Sequence, residues 1–162
     1  MLFSSEAFIF FFLPAVLIVH HLCKKILGLE GIIVFLTVAS LVFYGAHHPP
    51  YIALILGSVV FNYIVGRKIQ HLVRARLTVL LLAVCVNLIL LGVFKYSYFI
   101  VTNINFLTHT ETYVPEIVLP LAISFFTFQQ IAFLVDVYKG TAKVAGFRSY
   151  SLFIIFFLLL IN

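Results

Sequence analysis

Six long apolar runs, separated by short segments that carry most of the basic residues, constrain the fold of this chain more than any other feature. They cover residues 7–23, 32–46, 51–65, 77–94, 119–140 and 150–162. Only 9% of the 162 residues are charged, whereas a soluble domain carries about 25% charged residues. A chain of this composition cannot cover a surface that faces water. The sequence therefore predicts an integral membrane protein.

The lengths of the runs set the expected number of membrane crossings. A helix needs roughly 20 residues to cross the hydrocarbon layer of a bilayer. The sequence predicts an all-α fold, a multi-pass transmembrane helical bundle with about five complete spans. The run at 150–162 would extend only roughly 20 Å as a helix, against a hydrocarbon core of about 30 Å. We therefore expect a truncated sixth span, and a single membrane domain over residues 1–162 that is incomplete at its C-terminal end.

The basic residues fall in alternate connections between the runs. Lys24 and Lys25 follow the first run, a cluster at 67–76 follows the third, and another at 139–148 follows the fifth. Because lysine and arginine mark cytoplasmic loops, we predict a multi-pass protein of the inner (cytoplasmic) membrane with its N-terminus outside. Positive cytoplasmic loops account for the net charge of +5. We therefore expect the lipid bilayer, and no nucleic acid, as a partner.

Local signals predict where the runs begin and end. Gly28 and Gly31 predict a turn, the two prolines at 49–50 predict a loop, and the basic cluster at 67–76 is expected to be a loop. The tyrosine-rich segment 95–99 is predicted to be an interfacial belt at the end of the fourth span, with an in-plane helix over 100–107. Lys139 and Gly140 are suited to the end of the fifth span.

Polar side chains inside the fifth run point to a site or to helix contacts. The run contains Ser124, Thr127, Gln129, Gln130 and Asp136, and each polar group in hydrocarbon must be satisfied by protein or water. Gln129 and Asp136 are seven residues apart, so they lie on one helix face. One interpretation makes Gln129, Gln130 and Asp136 lining residues of a membrane-embedded reaction chamber. The other makes these side chains interhelical hydrogen-bonding groups only.

Three further polar residues have expected partners. Asn62 and Asn87 lie inside the third and fourth runs and are predicted to bond to other helices. Lys139 follows Asp136 by three residues, a spacing that favours a helix-end ion pair.

The histidines and cysteines predict no metal site. The histidine pairs at 20–21 and 47–48 lack further ligands at a recognisable spacing. Cys23 and Cys85 belong to no Cys-x-x-Cys pattern, and we predict that both are small core residues. No cofactor bound by this chain is expected.

Several segments resemble one known family. Residues 119–140, LPLAISFFTFQQIAFLVDVYKG, resemble the signature of the membrane-bound O-acyltransferases, in the bacterial branch that includes the alginate O-acetyltransferase. Four further segments agree with the family in the same order. They are MLFSS at 1–5 with FFLP at 11–14, SLVFYG at 40–45 with PPY at 49–51, FNY at 61–63 with GR at 66–67, and FKYSYF at 94–99.

The resemblance implies that this chain is the N-terminal part of an acyltransferase. Such an enzyme transfers an acyl group, acetyl by resemblance, from acyl-CoA or another acyl thioester to hydroxyls of a polysaccharide or other cell-envelope acceptor. It further implies cell-envelope acetylation partner proteins. The basic cluster at 67–76 then has a second interpretation, attraction of the anionic acyl donor or of lipid headgroups. The alternative for the whole chain is a small non-catalytic helical membrane protein that acts as a scaffold or partner subunit.

The resemblance assigns no catalytic residue to this chain. The family uses a histidine buried in the membrane as its base, and a base acts only within hydrogen-bond reach of its substrate. None of the 6 histidines lies in a segment that matches that motif. We therefore predict that the purified chain, given an acyl thioester and a polysaccharide acceptor, turns over no faster than a blank. Robust transfer would contradict this prediction.

Overall fold

Helices are the only regular secondary structure in the described part of the chain. The computed structural model describes residues 28–45, 49–108 and 123–160, together with Phe10, Pro14, Val16 and Ile18. The all-α prediction is confirmed for these residues. The first apolar run lies outside them apart from those four positions. The helices are α1 (Gly28–Gly45), α2 (Pro50–His71), α3 (Arg76–Thr108), α4 (Ile123–Lys139) and α5 (Phe147–Leu160).

Two of these helices are long and apolar enough to cross a membrane. They are α2, with 22 residues, and α3, with 33 residues. Shorter apolar stretches occur in α1 at Gly28–Val42 and in α5 at Phe147–Phe156. Length and composition thus support membrane insertion, and the number of about five spans stays a prediction.

Helix α3 corrects the predicted boundary at the tyrosine-rich belt. The helix continues through 95–99 to Thr108 without a break, so it is roughly 50 Å long and no separate in-plane helix exists at 100–107. No proline interrupts the segment. The side chains of Asn103 and Thr108 donate to the backbone oxygens of Phe99 and Ile104, each at 2.7 Å. These polar residues therefore bond within the helix, and Asn103 does not interrupt it.

Two other boundaries also differ from the predictions. Helix α1 begins at Gly28, whose φ of +66° suits glycine, so Gly31 lies inside the helix and not in a turn. Helix α2 extends to His71, so Arg67 and Lys68 lie on its last turns. Positive charges there interact favourably with the negative end of the helix dipole. The predicted end of the fifth run is confirmed, since α4 ends at Lys139 and Gly140 follows with φ +79°.

Helix α4 lies at the centre of the bundle. It packs against α2, α3 and α5, while α1 packs mainly against α5. Phe126 and Leu134 of α4 are fully buried. A Cβ atom on Gly66 of α2 would lie 2.9 Å from a ring carbon of Phe133, so glycine allows the close approach of α2 and α4.

One end of the bundle gathers the α2–α3 and α4–α5 loops and most of the basic residues of the described ranges, and we call it the basic end. Arg148 at the start of α5 pairs with Glu30 at the start of α1, at 2.8 Å. Val144 N donates to Gln70 Oε1 at 2.9 Å, which joins the α4–α5 loop to the end of α2. Two of the three predicted basic segments therefore lie together; Lys24 and Lys25 lie outside the described residues. The basic end carries Arg67, Lys68, Arg74, Arg76, Lys139, Lys143 and Arg148.

Cys85 corrects one expectation about the core. It is a free cysteine exposed on α3, beside the exposed side chains of Leu81, Leu82, Leu88 and Ile89. The prediction that it is buried is wrong for this chain, because its face of α3 is turned away from the other helices. Cys23 lies outside the described residues.

Candidate functional site

Four polar side chains from three helices meet in the interior of the bundle. They are Ser58 and Asn62 of α2, Asn87 of α3 and Gln130 of α4, and all four are buried. We call them the amide cluster. Ser58 and Asn62 are four residues apart and so share one face of α2. The packing of α4 against both α2 and α3 brings Gln130 to that face.

Asn62 and Asn87 form a reciprocal pair between α2 and α3. Asn62 Nδ2 donates to Asn87 Oδ1 at 3.0 Å, and Asn87 Nδ2 donates to Asn62 Oδ1 at 2.8 Å. Each amide also donates to its own helix, Asn62 to Ser58 O at 2.9 Å and Asn87 to Ala83 O at 2.8 Å. The prediction that both asparagines bond to other helices is confirmed.

Gln130 connects α4 to this pair. Its Oε1 accepts from Ser58 Oγ at 2.7 Å and from Asn62 Nδ2. Its Nε2 is buried without a hydrogen-bond partner among the described residues. The side-chain amide oxygens of the cluster all accept hydrogen bonds, whereas one amide donor, Gln130 Nε2, is unsatisfied. An unpaired buried amide donor costs about 1–3 kcal/mol.

Gln129, the neighbouring residue, reaches a different helix. Its Nε2 donates to Phe153 O of α5 at 3.1 Å, and its Oε1 is buried without a partner in the described part of the chain. Adjacent residues on a helix point about 100° apart. The two glutamines therefore bond on different faces of α4, Gln130 to α2 and Gln129 to α5.

Asp136 lies away from both glutamines, near the basic end. It is exposed, and its Oδ1 accepts from Thr141 Oγ1 at 3.4 Å. Its backbone oxygen also accepts from Thr141 N at 3.0 Å and Ala142 N at 3.2 Å. The expected ion pair with Lys139 is not formed, because the chain turns at Gly140 and brings Thr141 to the carboxylate instead. That Gln129, Gln130 and Asp136 line a chamber stays a prediction.

Ser124 and Thr127 of α4 bond to two different helices, α3 and α4 itself. Thr127 Oγ1 donates to Ile123 O of its own helix at 2.7 Å. Ser124 Oγ accepts from Lys95 Nζ of α3 at 3.3 Å. The contact of Ser124 matches the interpretation as an interhelical hydrogen bond, whereas Thr127 bonds within α4.

Two residues were missed by the sequence analysis. Ser58 was not recognised, although its spacing of four from Asn62 is the signal that places both on one helix face. Arg76 was predicted only as a member of the basic cluster at 67–76, as a cytoplasmic loop charge or as attraction for an anionic acyl donor or lipid headgroup, and not as a partner of α4. Its guanidinium donates to Val137 O at 3.2 Å and Tyr138 O at 2.9 Å, and it lies 5.6 Å from the centre of the Tyr138 ring.

Named relatives match most of the chain. It is 43% identical over 148 residues to the peptidoglycan O-acetyltransferase of Helicobacter pylori, an alignment that covers 86% of this chain and 27% of that protein. It is 37% identical over 147 residues to the probable alginate O-acetylase AlgI of Pseudomonas aeruginosa, with 86% of this chain and 28% of that protein covered. The resemblance to the membrane-bound O-acyltransferases is confirmed.

The relationship covers only part of these O-acetyltransferases. The chain spans about a quarter of the length of the relatives it matches, 27% and 28% of the two named above. No protein-family model and no solved structure matches it. Two helices of membrane-crossing length, together with these relatives, identify a membrane protein.

The chemistry available in the amide cluster is limited to neutral hydrogen bonding. Amide and hydroxyl groups donate and accept, but at neutral pH they do not exchange a proton as a histidine or carboxylate does. In the described ranges no group of three His, Cys, Asp or Glu residues could hold a metal ion. The amide cluster can therefore fix the positions of α2, α3 and α4 or orient a polar group, and it does not supply a base.

Proposed function

We propose that this chain forms part of the transmembrane scaffold of a membrane-bound O-acetyltransferase. The whole enzyme would sit in the inner membrane and transfer an acetyl group from an acyl thioester to hydroxyls of a cell-envelope glycan. The sequence identity of 43% to a peptidoglycan O-acetyltransferase carries this proposal. The alginate O-acetylase is 37% identical over 147 residues. Since relatives named for two different glycans both match this segment, we propose that the rest of the protein selects the glycan.

The described contacts suggest how the scaffold works. The amide cluster joins α2, α3 and α4 through side-chain hydrogen bonds between buried residues. In an acyltransferase such rigidity would keep the walls of the reaction chamber in register, and a misplacement of about 1 Å can cost 100-fold in rate.

A chimera tests the proposed function. The matching 148 residues of the Helicobacter pylori relative are replaced by those of this chain, and acetate released by mild base from purified peptidoglycan is measured. We expect O-acetylation to persist in the chimera. A matched chimera that also carries Asn62→Leu is expected to lose most of it at equal membrane expression, because Asn62 bonds to both other helices of the cluster.

The second chimera places the same residues in the alginate O-acetylase, with alginate acetylation as the readout. Activity in both backgrounds supports a shared scaffold. If neither chimera acetylates while both are inserted at normal levels, the proposal is wrong, and the small non-catalytic scaffold or partner protein becomes the better account.

Asp136 provides a test of the proposed chamber wall. It is exposed in this chain, as a residue facing the rest of a larger enzyme would be. In a complete enzyme built on this segment, Asp136→Asn is expected to lower activity at least tenfold with insertion intact, about 1.4 kcal/mol of transition-state stabilisation. Lys139→Gln, which changes a charge one turn away, is the control and should keep normal turnover. Wild-type activity in Asp136→Asn would leave Asp136 with only its helix-end contact to Thr141.

A further inference from the structure

A small cavity lies at the basic end, between α4, α5 and the loop that joins them. Its volume is about 200 Å³, and we call it the loop cavity. On this measure a cavity of about 10–15 Å³ holds one water molecule, so the loop cavity could admit a chemical group of several heavy atoms. It is lined by Phe133, Ala142, Lys143, Ala145, Ser149, Tyr150 and Phe153.

The walls of the loop cavity are aromatic and held in place. The rings of Phe133 and Tyr150 pack with their centres 4.6 Å apart. The backbone at Phe153 accepts a hydrogen bond from Gln129 Nε2 at 3.1 Å. These contacts join α4 to α5 directly beside the cavity, so the apolar side of the site is preformed.

The mouth of the cavity is polar and is also fixed. Lys143 and Ser149 are exposed at its rim. The loop that carries Lys143 is pinned on both sides, by Ala142 N to Asp136 O at 3.2 Å and by Val144 N to Gln70 Oε1 at 2.9 Å. The Lys143 ammonium has no carboxylate within ion-pair distance among the described residues, whereas Arg148 is paired with Glu30.

A cation at the mouth of an aromatic cleft fits a ligand with an anionic head and an apolar chain. Phe153 is 47% exposed, so the apolar wall of the cavity opens to the outside of the bundle.

We propose that the loop cavity binds an anionic phospholipid, with the phosphate at Lys143 and Ser149 and the upper part of an acyl chain along Phe133 and Phe153. The site does not depend on acetyl transfer. The lipid would link the α4–α5 loop to the surrounding membrane leaflet.

Lipid binding to the purified full chain in detergent tests the proposal. The probes are phosphatidylglycerol and, with the same acyl chains, zwitterionic phosphatidylcholine; bound lipids are counted by native mass spectrometry and the melting temperature is recorded. We expect phosphatidylglycerol to be retained and to raise the melting temperature, and phosphatidylcholine to do neither. Lys143→Gln is expected to weaken phosphatidylglycerol binding at least fivefold. Lys139→Gln, which removes the same charge outside the cavity, should bind as the unmodified chain does.

A second variant tests the contribution of the cavity to lipid binding separately from that of the Lys143 charge. Ala145→Trp fills the mouth and keeps Lys143, and it is expected to abolish retention of phosphatidylglycerol. Equal weakening by both lysine variants would show diffuse attraction and overturn the proposal, as would normal binding by Ala145→Trp. Acetyl-CoA is the last arm, since it also carries phosphate. If acetyl-CoA competes with phosphatidylglycerol in a way that requires Lys143, the assignment to a lipid is wrong.

Discussion

Replacement of Asn62 by leucine is expected to lower the free energy of unfolding by about 2 kcal/mol. Asn62 donates to Asn87 and Gln130 and accepts from Asn87. Leucine removes these bonds and leaves the amide of Asn87 and the carbonyl of Gln130 short of partners in the interior. Single interhelical hydrogen bonds in membranes average about 0.6 kcal/mol, so the larger loss expected here comes from several groups left unpaired at once.

A double-mutant cycle isolates the Asn62–Asn87 pair. Each single change to leucine leaves one amide without its partner, whereas Asn62→Leu/Asn87→Leu removes both. We expect the double variant to be about 1 kcal/mol more stable than the sum of the single effects predicts. Unfolding by sodium dodecyl sulfate in mixed micelles gives the free energies. Ile64→Leu, at an exposed position of the same helix, should stay within about 0.5 kcal/mol of the unmodified chain. Strictly additive effects would show that the asparagines are not coupled.

Arg76→Gln is expected to cost about 2 kcal/mol in the same assay. Arg76 begins α3, and its guanidinium donates to two backbone oxygens, of Val137 and Tyr138, at the end of α4. The last carbonyls of a helix have no partner within it, and a cation there also favours the helix dipole. Both bonds are donated by one nitrogen, Nη2, at the far end of the guanidinium, so Arg76→Lys, whose side chain is shorter and lacks the planar group that lies over Tyr138, should recover only part of the loss.

The neighbouring Arg74 provides the matched control for Arg76. Arg74 is exposed in the α2–α3 loop, so Arg74→Gln removes the same charge two residues away and should change stability by less than about 0.5 kcal/mol. Equal losses at both positions would mean that net charge, and not the cap on α4, stabilises the basic end.

The apolar runs were sufficient to predict the helical class and most of the helix cores. Five of the six runs correspond to α1–α5, and glycine with a positive φ ends α4 where Gly140 predicted it. These features are local, because hydropathy and helix ends depend on neighbouring residues. The break predicted near Lys95 was wrong, because composition typical of a membrane interface does not by itself end a helix. A lysine between aromatic residues is typical of a membrane interface, yet nothing in that segment interrupts the backbone hydrogen bonds of α3.

The partners of the polar residues could be predicted only in part. The sequence indicated that Asn62 and Asn87 would bond between helices, but not that they would bond to each other. It could not separate Gln130, which bonds to α2, from Gln129, which bonds to α5, because the rotation of α4 against its neighbours depends on packing distant in sequence. Asp136 was paired with Lys139 by spacing alone, and the turn after Gly140 supplied Thr141 as a competing partner.

Accessibility labelling in intact cells tests most directly the central prediction, that these helices cross the membrane alternately with the basic end in the cytoplasm. Single cysteines are placed at Pro49, Arg74, Asn103 and Lys143 in a background of Cys23→Ala and Cys85→Ala. Asn103 lies 27 residues beyond Arg76 on α3, roughly 40 Å along the helix. A membrane-impermeant maleimide should label Pro49→Cys and Asn103→Cys in intact cells. It should label Arg74→Cys and Lys143→Cys only after the cells are permeabilised. Labelling of all four positions in intact cells, or the reverse pattern, would contradict the account.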